Sequence, residues 1–92
     1  MDYSIITNLD DGRSLAASGY KTIAAAQQLI RDHLGYYHNT AATVRLVNFV
    51  VVASNGTVAI FDKYGVLSSP EYAGVVQGWH ALERKAAAER NR

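Results

Sequence analysis

Between Val44 and Asp62 the chain reads as a hairpin, and that stretch restricts the fold more than any other. Val44 to Ala53 is almost continuously apolar, with Val44, Leu46, Val50 and Val52 on one face of an extended strand and Val47, Phe49, Val51 and Ala53 on the other. A strand that wants cover on both sides belongs inside a sheet. Asn55-Gly56 follows as the pair suited to a two-residue type I′ turn, which predicts Ala53 opposite Val58, Val51 opposite Ile60 and Phe49 opposite Asp62. Lys63-Tyr64-Gly65 then ends or kinks the second strand.

The flanking segments supply the rest of one domain over residues 1–92. Tyr3 to Thr7 is rich in β-branched and aromatic residues, Asn8 to Gly12 is a turn cluster ending in Asp-Gly, and Arg13 to Ser18 returns the chain as a first hairpin. Thr22 can cap a helix whose apolar positions Ile23, Ala26, Ile30 and Leu34 recur at steps of three and four, flanked by Leu29. Gly35 is placed to end it, leaving Tyr36-Tyr37-His38-Asn39-Thr40 as a loop. Ser69-Pro70-Glu71 is a helix start, with a hydroxyl cap, proline at the first position and a carboxylate near the positive end of the dipole. The stripe Tyr72, Val75, Val76, Trp79, Leu82 and Ala86 continues that helix, with a frayed tip over about 88–92. Gly74 and Gly78 weaken its first half and leave a short fifth strand over Tyr72 to Gln77 as the competing reading.

The expected fold is therefore α+β in the order β-β-α-β-β-α. It is a four-stranded antiparallel sheet with one mid-chain helix and a long C-terminal helix packed on it. In the simplest assembly both helices share one face and leave the other side of the sheet partly apolar. If they divide between the faces, the domain covers itself.

Composition narrows the function classes. At 92 residues, 49% hydrophobic and 18% charged, the chain is too apolar for disorder and has little charge with which to cover a surface, so some apolar area is expected to be shared with another chain. Without cysteine there is neither a disulfide framework nor a thiolate metal site, and Met1-Asp2-Tyr3-Ser4 lacks the basic and apolar regions of a signal peptide. No stretch approaches the roughly 20 apolar residues of a membrane span. A cytoplasmic protein with no membrane association is the expectation. The net charge of +1 supplies no general field for a polyanion.

Catalytic constellations are missing. Gly-x-Ser-x-Gly, the phosphate-cradling Gly-x-x-x-x-Gly-Lys-Ser and the dinucleotide Gly-x-Gly-x-x-Gly are absent, and Asp10-Asp11 is explained by turn chemistry. Asp32-His33 with His38, or His80 with Glu83, would need further converging ligands to hold a metal. No enzyme, no cofactor and no metal site is expected. Recognition residues are better represented. Tyr36, Tyr37 and His38 form an amphipathic aromatic cluster of the kind enriched at interfaces, and Val47, Phe49 and Val51, or their opposite row, offer an apolar surface. Arg84 and Lys85, with Arg90 and Arg92, make the last helix locally basic. Gly74, Gly78 and Ala81 form a small-residue side of the same helix on which a second copy of the chain could pack.

The segments Tyr3-Ser4-Ile5-Ile6, Thr22-Ile23-Ala24-Ala25-Ala26 and Val50 to Val58, in the order hairpin, helix, Asn-Gly hairpin, resemble small phage-borne proteins. Among these are some anti-CRISPR inhibitors of type I surveillance complexes. The resemblance covers the first two-thirds of the chain and carries over no binding residue. It implies a non-enzymatic viral or mobile-element inhibitor in the host cytoplasm that occludes a partner protein's surface. The residues themselves, not the resemblance, offer Tyr36, Tyr37, His38, Val47, Phe49, Val51, Arg84 and Lys85 as candidate contacts and a homodimer as a further option. The alternative is a nucleic-acid-binding module using Tyr36, Tyr37, Arg45, Lys63, Arg84 and Lys85. It is less favoured because the Lys/Arg-Gly-Phe/Tyr strand motif of RNA-recognition domains is missing.

Overall fold

Four strands pair in a single sheet, seen in a computed structural model that describes residues 1–39 and 43–90. The elements are β1 (Tyr3–Leu9), β2 (Ser14–Tyr20), α1 (Ile23–Asn39), β3 (Leu46–Ala53), β4 (Val58–Asp62) and α2 (Glu71–Arg90). The strands lie in the order β2-β1-β3-β4, every pair antiparallel, so β1 and the two-sided apolar β3 are central. This is the α+β architecture expected from sequence, and Tyr72 to Gln77 is helix, not a fifth strand.

Both helices cover the same side of the sheet. Tyr3, Ile5, Leu9, Phe49, Val51, Ala53, Ala59 and Phe61 from the strands join Ile23, Ala26 and Ile30 of α1 and Val76 and Trp79 of α2 in one core. The predicted α1 stripe is the buried one, with Leu29 and Leu34 packed at its margin. Thr22 caps α1 as expected, its Oγ1 accepting from the Ala25 N–H at 3.1 Å. Gly35 does not end the helix. Tyr37 packs against the core one turn further on, so tertiary contact carries α1 through Tyr36, Tyr37 and His38, which are helical and not a loop. Thr40 lies outside the described residues. The α2 stripe is correct as far as Trp79, but Leu82 turns to the exposed flank of the helix and Ala86 is exposed beyond Glu83, the residue that fastens α2 to β1. It is regular to Arg90; residues 91–92 lie outside the described region.

The central hairpin turns differently from the two-residue expectation. Gly56 N–H donates to the Ala53 carbonyl at 2.9 Å and Ala53 N–H to the Thr57 carbonyl at 2.9 Å. Only Gly56 takes a positive φ, +89°. This is the three-residue turn in which a left-handed glycine forms a bulge, and it shifts the pairing by one residue: Val52 faces Val58, Val50 faces Ile60 and Phe49 faces Phe61. Because side chains alternate, the shift sends Ala59 and Phe61 inward and Val58 and Ile60 outward. Leu9-to-Arg13 turns in the same way around Gly12, and so does Asp62-to-Val66 around Gly65. A Cβ on Gly65 would stand 2.7 Å from Leu34 Cδ1, so this last turn docks closely on α1. Its return segment pairs with the outer edge of β4 through a Phe61–Leu67 bridge and a Ser68 N–H bond to the Ile60 carbonyl, which leaves β2 as the free edge.

A second irregularity reverses two residues of the predicted faces. The β1–β3 register shifts between Asn8 and Leu9, where Leu9 pairs with Leu46. Leu46 turns into the core and Val47 is left 48% exposed, the opposite of simple alternation.

Candidate interaction surfaces

The uncovered side of the sheet is an apolar surface that the helices do not reach. Ile6, Val50, Val52, Val58 and Ile60 are half-buried by one another, and Ala16 on β2 is exposed beside them. None belongs to the core or to the residues packed against it. The register aligns them in cross-strand rows, Ala16–Ile6–Val50–Ile60 and Val52–Val58. One end of the face is closed by a polar row: Ser14 Oγ donates to Asn8 Oδ1 at 2.7 Å, and Asn8 Nδ2 to Asn48 Oδ1 at 2.7 Å. Asp62 ends that row opposite Asn48, and its Oδ1 accepts the Tyr64 and Val66 N–H groups of its own turn. The result is an uncharged apolar centre with a self-satisfied polar margin, the anatomy of an interface core and rim.

Of the two rows that the sequence leaves open for a partner, Val47, Phe49 and Val51 or their opposite row, this surface is the second. Phe49 and Val51 have no exposed area; they lie under the helices and are closed to a partner in this fold. Val47 is exposed through the bulge, away from them. The face that remains open is the opposite row, Val50 and Val52, extended by Ile6, Val58 and Ile60. Ile6 was legible as an alternate position of the first strand, but Val58 and Ile60 depended on the turn class.

A second surface gathers at the end of the sheet where α1 finishes. Tyr36 is 61% exposed and meets Tyr37 edge to face at 4.9 Å, while Tyr37 rests against His33. His38 Nε2 lies 3.1 Å from the Lys63 carbonyl oxygen and its ring stacks on the exposed Tyr64, with Lys63 Nζ 5.3 Å from that ring's centroid. Tyr64 is an addition to the predicted cluster, brought in by the Asp62-to-Val66 turn. Arg45 is near the same end, its carbonyl accepting from the Asp10 N–H and its own N–H donating to Asp10 Oδ1. Arg84 and Lys85 are elsewhere, on the stretch of α2 that extends beyond the opposite end, so the residues of the nucleic-acid reading do not share one face. The open sheet face has neither aromatic side chains nor Lys or Arg.

Polar side chains on the covered side hold the helices in place. Glu83 Oε1 accepts from the Tyr3 hydroxyl at 2.8 Å and from the Ile23 N–H at 2.7 Å, tying α2 to β1 and to the first turn of α1. Burial, reinforced by that carboxylate, pushes the Tyr3 phenol well above its usual range. Thr7, the buried polar residue of the core, is hydrogen-bonded to His33 Nδ1 at 3.0 Å, and burial lowers the His33 imidazole below its ordinary pKa against the opposing charge of Asp32. Trp79 Nε1 donates to Thr57 Oγ1 at 2.6 Å. Glu83 is thus a fastening and not the partner of His80. Among the described residues no group of three or more His, Cys, Asp or Glu is arranged to hold a metal, and no helix is long and apolar enough to cross a membrane.

Two grooves flank α2. A wide one, about 1090 Å³, runs past Lys21, Thr22, Glu83 and Glu89. A narrower one, about 440 Å³, is lined by Gly74, Val75, Gly78, Trp79, Leu82 and Thr57 with neighbouring residues including Ala81. The predicted small-residue side of α2 therefore borders the β3–β4 turn on the helix flank. No protein family, curated protein or solved structure matches this chain.

Proposed function

We propose that the protein is a non-enzymatic interaction module that covers a surface of a partner protein with the open face of its sheet. The observation that carries this reading is the continuous row Ala16–Ile6–Val50–Ile60 with Val52 and Val58, apolar, uncharged and unpacked by the chain's own helices. Apolar area of this kind is gained by contact with another apolar surface and yields little with a phosphate backbone. The exposed Tyr36, His38 and Tyr64 at the end of the domain supply a second, amphipathic anchor. As a phage or mobile-element inhibitor of the anti-CRISPR kind, it would act by steric occlusion with no chemical step.

Capture from the host with the wild-type chain and with a Val50→Lys, Ile60→Lys variant tests the reading. The same protein should be retained by the first and lost by the second, while circular dichroism and thermal unfolding of the two baits agree. Equal retention by both baits would remove the sheet face from the account. Salt-sensitive binding to DNA or RNA in fluorescence anisotropy, with no protein retained, would replace the reading by the nucleic-acid one.

A further inference from the structure

We infer that the chain forms a two-fold dimer through the exposed flank of α2, with the two helices antiparallel and crossing at Gly78. Glu71, Gly74, Gly78, Leu82 and Lys85 follow one another at helical steps of three, four, four and three, which places them on one stripe, and all are exposed. The stripe runs beside the 440 Å³ groove between α2 and the β3–β4 turn.

Packing within the chain does not explain the glycines. A Cβ at Gly74 or Gly78 would meet nothing within 4 Å, yet glycine weakens a helix interior relative to alanine. Leu82 is a large apolar side chain left 48% exposed on the same stripe. Notch and projection are thus presented together on one surface.

The charges choose the occupant and the register. In a two-fold antiparallel pair centred on Gly78, Leu82 of each copy faces the Gly74 notch of the other, and Lys85 of each faces Glu71 of the other. A parallel pair would instead set Glu71 against Glu71 and Lys85 against Lys85. Centring on Leu82 sets Val75 against Glu89 and leaves Glu71 without its lysine, and centring on Lys85 apposes like charges. Only the Gly78 register fits both the shape and the charge of the stripe. The paired flank is on the helix side of the sheet, so such a dimer carries both open sheet faces outward and can engage two partner surfaces at once. The inference does not depend on what those faces bind.

Sedimentation equilibrium over a concentration series at low salt provides the test, with circular dichroism confirming that each variant is folded. The wild-type chain should show a monomer–dimer equilibrium, and Gly78→Leu should weaken it by at least about tenfold, a loss equivalent to one strong contact. Glu71→Lys protein alone and Lys85→Glu protein alone should each dimerise less, because each apposes like charges twice. Mixed in equal amounts they should associate, since every pair across the mixed interface is again opposite in charge. A wild-type chain that stays monomeric at millimolar concentration, a Gly78→Leu dimer as tight as wild type, or a mixture no more associated than its components would overturn the inference.

Discussion

Phe49 and Val51 are fully buried, whereas Val50 and Val52, their neighbours in the same strand, remain partly open to solvent. Both sides of the sheet carry aliphatic residues, but its aromatic side chains Tyr3, Phe49 and Phe61 all lie on the covered side, so the helices cover the bulkier apolar row. Polar side chains reinforce that choice. On the covered side Tyr3 and Thr7 bond the helix residues Glu83 and His33, and the buried Trp79 indole donates to Thr57 of the β3–β4 turn. On the open side Ser14, Asn8 and Asn48 bond one another within the sheet and offer the helices nothing. Buried polar groups that find partners in only one arrangement select that arrangement, because the alternative leaves them unsatisfied.

The contrast between faces breaks most visibly by substitution within β3. Phe49→Ala should cost about 3–5 kcal/mol, the range for a buried aromatic, whereas Val50→Ala should cost under about 1 kcal/mol. Urea unfolding midpoints at constant slope measure both, and equal losses would mean that the open face is covered in solution. The polar fastening is the next test. Glu83→Ala should cost about 2 kcal/mol by leaving the Tyr3 hydroxyl and the Ile23 N–H without their acceptor, and should do so with the apolar core unchanged. A loss confined to a few tenths would show that packing alone holds the helices on their side.

Register is tested at the turn. Gly56→Ala forces an alanine into φ +89°, and although there is open space for its Cβ, the strain should cost about 1–2 kcal/mol. A larger effect, with altered tryptophan fluorescence, would indicate that the strand had slipped and exchanged its faces. The smallest expected effect is a pH dependence. Because burial lowers the His33 pKa in the folded state, the unfolded chain binds the proton more readily. The stability it confers is complete above the unfolded value of about 6.5 and declines as pH falls through the folded value. His33→Gln should flatten that part of the profile of stability against pH, and an unchanged profile would remove Thr7–His33 from the set of face-selecting contacts.

Much of this fold is legible in the residues, and the candidate surface only partly so. The stripe Ile23, Ala26, Ile30 identifies α1, and Ser69-Pro70-Glu71 marks the start of α2, because helix period and end chemistry are local. The tyrosine cluster is also visible, but its conformation is not: Tyr37 finds the core and keeps α1 helical beyond Gly35, a contact that no window of sequence contains. Asn55-Gly56 suits a two-residue turn and a three-residue turn alike. One residue of difference moved Phe61 inward and Ile60 outward, and with them the boundary of the open face.

By itself the sequence determined that β3 would be central, that its strands would pair as hairpins at glycine turns, and that two helices would have to cover a side of the sheet. Those properties follow from side-chain period, propensity and backbone sterics within a few residues of each position. Which side was covered, and therefore which apolar row remains for a partner, was decided only in three dimensions. Strand register and the hydrogen bonds of Tyr3, Thr7 and Thr57 join residues far apart in the chain, and only such contacts assign each apolar residue to the covered or the open face.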